Sequence, residues 1–364
     1  VSSMSDAIEA VSQRLDNFFA SRLRNATEAG PEAVHFVRAS ASAVQGGKRL
    51  RARFCLTGWR AVAEAGGRVA RPGDAVIAAA AALEIFHAAA LVHDDLIDNS
   101  DTRRGKPAAH RALEAHHRDQ RWAGDAAAFG RSAAILSGDL LVAWSDDLLE
   151  EGLTTASSDE AATARAEYAR MRRDVTVGQF LDIAEESAFL VAGDDRHAER
   201  ALRVASLKSA RYSVEQPLRI GAALAGASTG QLSTLSAFGH PVGMAFQLRD
   251  DVLGVFGDEA RTGKPSGDDL REGKRTVLVA YAREVLAPGA RAVVDELIGD
   301  PELDAEQIGA LQRTIVDSGA LDRVEDLIAA YARDADRALS GAPLGNVAVG
   351  ELRDLARAAT SRTA

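Results

Sequence analysis

Residues 75–100 read AVIAAAAALEIFHAAALVHDDLIDNS. An apolar run of alanine, valine, isoleucine and leucine ends on three aspartates, Asp94, Asp95 and Asp98. The run contains neither glycine nor proline and is far longer than an ordinary strand, so it reads as a helix. On a helix Asp94 and Asp98 lie one turn apart and share a face, while Asp95 is turned by about 100°. Two carboxylates on one face with no lysine between them repel each other, and a cation would relieve that repulsion. Residues 75–92 are also the best candidate for a membrane span. Glu84, His87 and the excess of alanine over bulkier residues point to a buried helix instead.

Outward from this helix, the 364-residue chain keeps the same character. Apolar residues make up 46% and aromatics only 5%, which favours closely packed helices over a β-rich fold. The net charge of −10, without an arginine-rich tail or basic stripe, argues against nucleic acid as a partner. Cys55 is the single cysteine, so neither an internal disulfide nor a cysteine zinc cluster is possible. The opening VSSMSDAIEAVSQRL has no basic segment followed by an apolar one and does not read as a secretory signal. A cytoplasmic protein without a membrane span is expected.

Helical periodicity runs through the chain. Asp6 and Glu9 suggest a capping box at the first helix, and Pro31 can start the next. Gly46-Gly47 interrupts before RLRARFCLTGWRAVAEA, and GGRVARPGD at 66–74 is a clear break. The polar stretch 101–125 is expected to be the longest loop. Further helices are expected over 126–151, 159–187, 196–226 and 229–256, with four shorter ones to the end. No repeat, low-complexity tract or linker divides the chain. The expectation is all-α: one domain over 1–364, a single large helical bundle of about ten or more helices around a central apolar cavity.

A second pair of aspartates, Asp250 and Asp251, again follows an apolar stretch in FQLRDDVLGVFGDEARTGKPSGDDLREGKRT. Lys264, Lys274 and Arg275 come after it among several glycines. GDEARTGKP is not a Walker loop, because it has one residue too many between the glycines and proline in place of Ser/Thr. Mg²⁺ suits such faces: it takes hard oxygen ligands, keeps waters, and is held by one or two carboxylates plus substrate phosphates. GGKRLR at 46–51 adds Lys48, Arg49 and Arg51. DTRRGKP adds Arg103 and Arg104, and SLKSARY adds Lys208. Any one of these is ordinarily a surface charge. Local basic clusters in an acidic protein, beside two metal-type faces, describe a ligand with clustered phosphates.

The ordered set GGKRLR, LVHDDLIDNSDTRRGKP, GDLL (138–141), GQFLD (178–182), LKS (207–209), FQLRDD and GKPSGDDLREGKR resembles the trans-isoprenyl diphosphate synthases, the polyprenyl synthetase family. The resemblance covers residues 46–276 by motif. It implies that Asp94, Asp98 and Asp250 hold three Mg²⁺ against an allylic diphosphate, with Asp95 and Asp251 in support. It implies that Arg103, Lys208 and Lys264 bind that diphosphate, and that Lys48, Arg51, His87 and Arg104 bind isopentenyl diphosphate. Lys274 joins the substrate-binding set. Gln179, Asp182, Ser209 and Gln247 would line the reacting carbons, and the assembly would be a homodimer.

Two positions depart from the family pattern. Gly254 stands where many members carry a third aspartate, so that face must rely on Asp250 and Asp251. Ala52 stands where proline is common. In this family, side chains four and five residues before the first aspartate close the hydrocarbon tunnel, and bulky aromatics there stop growth at fifteen carbons. Here they are Ala90 and Ala89, with Phe86 a turn deeper. A turn of about 5.4 Å is close to one isoprene unit. That predicts twenty carbons, hence geranylgeranyl diphosphate, with farnesyl or longer chains as the alternative. A terpene cyclase or a silent partner subunit is the rival class.

Overall fold

The computed structural model describes residues 3–67, 71–191, 196–258 and 265–360. The fold is all-α, as the periodicity predicts. The chain forms two compact units: residues 1–164 with 220–226, and residues 165–219 with 227–364.

The first unit holds α1 (Met4–Ala26), α2 (Pro31–Ser42), α3 (Leu50–Ala65), α4 (Asp74–Ile97), α5 (Ala109–Asp119) and α6 (Ala126–Leu153). α4 is its axis. Nearly every residue from Val76 to Ala89 is buried, and Ala78 to Leu83 are fully so. The alanines let neighbouring helices come close. A Cβ on Gly152 of α6 would lie 2.3 Å from the Ala78 methyl, so both positions must be small. Leu83 and Ile85 fill the remaining space, and truncating such a leucine costs about 2–5 kcal/mol. A buried hydroxyl pair, Ser40 with Ser137 at 2.8 Å, joins α2 to α6.

The first capping box is formed by Ser3 and Asp6, not Asp6 and Glu9: the helix begins at Met4, which makes Asp6 its third residue. The stretch 101–125 is not a long loop. It holds a two-residue hairpin, β1 (Thr102–Arg103) with β2 (Lys106–Pro107), and then α5. The buried face of α5 is His110, Leu113, Glu114 and His117, which is helical spacing carried by polar side chains. Glu114 meets Arg111 and Arg118, and the His117 ring lies 3.2 Å from the Ala123 carbonyl. Apolar periodicity cannot see such a helix.

α7 (Ser158–Ala188) and α9 (Gln216–Ala223) each carry the chain across the division between the units. The second unit is built on α10 (Thr229–Phe256), which opens with a Ser228–Gln231 capping box. Around it stand α8 (His197–Val204), a π-helix over Ala205–Glu215, α11 (Asp268–Glu272), α12 (Val277–Val285), α13 (Pro288–Leu297), α14 (Ala305–Asp317), α15 (Ala320–Ala338) and α16 (Asn346–Thr360). The expected single helix 196–226 is therefore three segments, and six helices, not four, follow Phe256 among the described residues. Gly239 and Gly243 bring α10 onto the π-helix: Cβ atoms there would lie 2.9 Å from the Glu215 Cα and 2.5 Å from the Ala210 Cα. Leu248, Val252, Val255, Leu270, Leu278, Leu311 and Val324 form the core of this unit.

Candidate active site

In the first unit, the end of α4 presents the first acidic motif. Asp98 closes the last turn, its N–H donating to the Asp94 carbonyl at 2.8 Å. Asn99 then takes a left-handed conformation, φ 52°, and the Ser100 N–H returns to the Asp95 carbonyl. Asp94 and Asp98 are half-buried, whereas Asp95 is 3% exposed. The Arg103 Nε donates to Asp95 Oδ1 at 2.7 Å, and Arg103 Nη2 contacts the same oxygen. Arg103 also lies 3.9 Å from Asp94. Burial pushes the Asp95 carboxyl upward, and Arg103 opposes it. Asp95 thus faces Arg103 and not an open metal position. His93, next to Asp94, rests on GDLL: a Cβ on Gly138 would stand 2.2 Å from its Nε2.

Arg104 and Gly105, both at positive φ, turn the hairpin and return Arg104 to the GGKRLR segment. Its guanidinium lies on Gly47, where a Cβ would be 3.0 Å from Nη2, and Nη1 donates to the Gln45 carbonyl at 3.4 Å. A small open recess lies there, lined by Gly46, Arg49, Glu84, His87, Leu91 and Arg104 among others. Burial holds the His87 imidazole well below its usual range, and the charges of Arg51, Arg104, Arg103 and Arg49 lower it further. His87 is neutral at physiological pH. Lys48 is exposed and Arg51 half-buried at the same corner.

Glu84 is the residue that sequence reasoning passed over. It is 6% exposed, and its Oε1 accepts from the Ala52 N–H at 3.0 Å. Its Oε2 lies 3.6 Å from Arg49. Arg49, at the N-cap of α3, has φ 51° and provides no side-chain cap. Glu84 supplies one from a neighbouring helix and fixes the segment that carries Lys48 to Arg51. A lone carboxylate in an alanine-rich helix was the available signal. On the same helix Phe86 and Ala89 are buried and Ala90 half-buried.

In the second unit, α10 carries the second acidic motif. Gln247 Nε2 donates to Asp251 Oδ1 at 2.7 Å. Asp251 is buried, and its carboxyl is pushed up to about 8, first by burial, then by the charge of Asp269 and, more weakly, of Asp250. Asp250 is half-buried one residue before. Lys274 Nζ lies 3.2 Å from Asp269 and 2.6 Å from Glu272. Lys264 lies outside the described residues.

The π-helix carries Lys208 and Ser209, both half-buried. Gly178 of GQFLD lets α7 lie against it: a Cβ there would be 2.4 Å from the Lys208 backbone nitrogen. Four residues on either side of Gly178, two ion pairs clamp the contact. Asp182 meets Lys208 at 2.6 Å, and Asp174 meets Arg211 at 2.9 Å. Gln179 is half-buried beside them. The structure therefore places Asp182 on Lys208 and Gln247 on Asp251. Each bonds a charged neighbour of its own unit. Widened π-turns are uncommon and concentrate at functional sites.

Among the described residues, no three His, Cys, Asp or Glu side chains are gathered as a ready metal cage.

The sequence profile of the polyprenyl synthetase family matches residues 35–315. A geranylgeranyl pyrophosphate synthase from Corynebacterium glutamicum, solved in complex with isoprenyl diphosphate and magnesium, superposes with a TM-score of 0.91 at 37% identity over 100% of both chains. The chain is 34% identical to a geranylfarnesyl diphosphate synthase of Aeropyrum pernix, covering 88% of this chain and 90% of that protein. It is 32% identical to component 2 of a heptaprenyl diphosphate synthase of Geobacillus stearothermophilus, covering 97% and 95%.

Proposed function

This chain belongs to the polyprenyl synthetase family of prenyltransferases, and we propose that it condenses an allylic diphosphate with isopentenyl diphosphate, giving geranylgeranyl diphosphate as its main linear trans product. The observation that carries the reading is the recess beside α4. It gathers Arg49, a neutral His87 and Arg104 from three segments, a few turns from the Asp94 face. A second anion site of this kind serves a condensation and has no use in a cyclase. The profile match spans both units, which supports one functional domain over the whole chain.

The acidic faces fit a hard divalent cation. The charges of Asp269 and, more weakly, Asp250 help burial to raise the Asp251 carboxyl, and such a set of hard oxygens suits Mg²⁺. Asp94, Asp98 and Asp250 would hold three Mg²⁺, with Asp95 and Asp251 in support; when bound, the metal neutralises charge growing on the leaving diphosphate. Asp95 supports through Arg103, which it orients. Arg103, Lys208 and Lys264 bind the allylic diphosphate and stabilise it more strongly as its C–O bond breaks. Lys48, Arg51, His87 and Arg104 hold isopentenyl diphosphate so that its double bond attacks the allylic cation. The alanine face of α4 keeps water from that cation. The proton lost in the last step goes to the departing diphosphate, so no protein nucleophile is required.

Chain length follows from α4. Ala89 and Ala90 leave the upper level open, and Phe86 closes the next, about 5.4 Å deeper. Relatives named for twenty-, twenty-five- and thirty-five-carbon products share the family, so product length varies within it. Two outward apolar residues of α6, Ile135 at 48% and Leu136 at 60% exposure, support a homodimer. α4 and α6 are each long and apolar enough to cross a membrane. α4 is mostly buried within its unit, and α6 carries Asp139, Asp146 and Asp147, which supports a cytoplasmic enzyme without a span. Incubation with isopentenyl diphosphate, labelled dimethylallyl diphosphate and Mg²⁺ tests the function. Linear C20 diphosphate is expected. A cyclic hydrocarbon would identify a cyclase, and no product a silent subunit.

A further inference from the structure

Gly254 is where the second acidic motif departs from D-D-x-x-D, one turn after Asp250 and on its face. The position is not empty. A Cβ on Gly254 would lie 1.8 Å from Asp269 Oδ2 and 2.3 Å from its Cγ. The Asp269 carboxylate, arriving from α11, occupies the place where a side chain on residue 254 would begin. Its other oxygen, Oδ1, accepts from Lys274 Nζ at 3.2 Å.

Backbone contacts hold this arrangement. The Asp269 carbonyl accepts from the Lys274 N–H at 3.0 Å, and the Leu270 carbonyl from the Gly299 N–H at 2.9 Å. Gly273, at φ 82°, turns the chain so that Lys274 folds back over α11. The Asp269 side chain is 13% exposed and that of Lys274 is 25%. A lysine ammonium on a four-carbon stem is ordinarily mobile. Here Asp269 and Glu272 fix it.

We propose that Asp269 is a positioning residue: seated over Gly254, it holds Lys274 against the aspartate face of α10, and Gly254 is bare because Asp269 needs that space. The inference rests on the reading of Lys274 as a diphosphate ligand. It turns the apparent loss in the motif into an exchange. A carboxylate on residue 254 is replaced by one from α11 that arrives with its own cation. Restoring the aspartate at 254 should therefore harm the protein, since the new side chain would clash with Asp269 and add like charge.

The test is calorimetric titration of the full-length protein with inorganic diphosphate in the presence of Mg²⁺, together with thermal midpoints. Asp269→Asn, close in size, should weaken diphosphate binding about tenfold, the scale of one charge-assisted hydrogen bond. Lys274→Ala should do the same. If Asp269 acts through Lys274, the double variant should be no weaker than Lys274→Ala alone. Gly254→Ala and Gly254→Asp should each weaken binding, and Gly254→Ala should cause no further loss in an Asp269→Gly background, where the seat is vacated. A Gly254→Asp protein that binds as well as wild type would overturn the proposal. So would additive losses from Asp269→Asn and Lys274→Ala. If Lys274→Ala weakens binding and Asp269→Asn does not, the positioning role alone fails. If Lys274→Ala has no effect, the reading of Lys274 as a ligand fails with it.

Discussion

Gly178→Ala isolates the positioning of Lys208. An added methyl at 178 would stand 2.4 Å from the Lys208 nitrogen, 2.7 Å from the Leu207 carbonyl carbon and 2.8 Å from the Lys208 Cα. All three are backbone atoms, so no side chain can swing aside. Comfortable contact between such atoms requires roughly 3.5 Å, so α7 and the π-helix must part by about 1 Å. The ammonium of Lys208 is tied to Asp182 on α7 itself, and the backbone that carries it would move away. A misplacement of about 1 Å near reacting groups costs on the order of a hundredfold in rate. Overpacking costs roughly 1–3 kcal/mol of stability, which a protein of this size tolerates. The expected result is kcat lowered about a hundredfold, with circular dichroism unchanged and the thermal midpoint a few degrees lower. Steady-state incorporation of labelled isopentenyl diphosphate measures the rate. Gly289→Ala, where nothing lies within 4 Å of the added Cβ, is the control. A folded Gly178→Ala enzyme within about threefold of wild-type kcat would refute the argument that Gly178 sets the position of Lys208.

Three other perturbations probe separate parts. Asp94→Ala or Asp250→Ala should lower kcat by about three or more orders of magnitude with the fold intact, because the lost contacts strengthen in the transition state; near-normal turnover in a folded variant would remove the metal assignment. Glu84→Gln keeps a hydrogen-bond acceptor for the Ala52 N–H but loses the charge facing Arg49, so KM for isopentenyl diphosphate should rise about tenfold while KM for the allylic substrate stays put. Equal changes for both substrates would show that Glu84 serves the core instead. Ala89→Phe should shorten the product to farnesyl diphosphate and Phe86→Ala should lengthen it, both read by chromatography of the dephosphorylated products; an unchanged distribution in Phe86→Ala would place the floor on another helix.

The all-α class and the main helices were legible in the sequence, because α4, α6 and α10 bury apolar faces and end in glycine, aspartate or polar turns. What escaped was held by polar contacts. α5 buries two histidines and a glutamate, so its spacing is helical but its chemistry is not apolar. The π-helix escaped because widening a turn leaves composition unchanged. Glycines 178, 239 and 243 seat α7 and α10 against it, and their close neighbours are remote in sequence. At the site, motif order named the charged residues, but pairing decides their work. Asp95 and Asp182 read as a metal ligand and a lining residue, and each is found against a cation. Glu84 and Asp269 carried no assigned role, since a buried cap and an occupied glycine seat exist only in three dimensions.

Those pairings share a logic that bears on how an acidic protein takes anionic substrates. Arg103 is held by Asp95, Lys208 by Asp182 and Lys274 by Asp269 with Glu272. Each cation that the motifs assign to a diphosphate, among these three, is fixed by a carboxylate of its own unit. Ordering a long lysine or arginine side chain costs up to about 2 kcal/mol, and here that cost is met on folding and not on binding. The carboxylates also cancel charge that would otherwise repel along a crowded surface, which is consistent with the net charge of −10. Within each unit, then, these cations stand fixed before an anion arrives. Neutralising a holding carboxylate should therefore weaken diphosphate binding even though it makes the site more positive. For Asp182→Asn, calorimetry with Mg²⁺ and inorganic diphosphate should show binding weakened by about tenfold. Tighter binding, the result that net charge alone predicts, would show that local potential and not fixed geometry governs recognition.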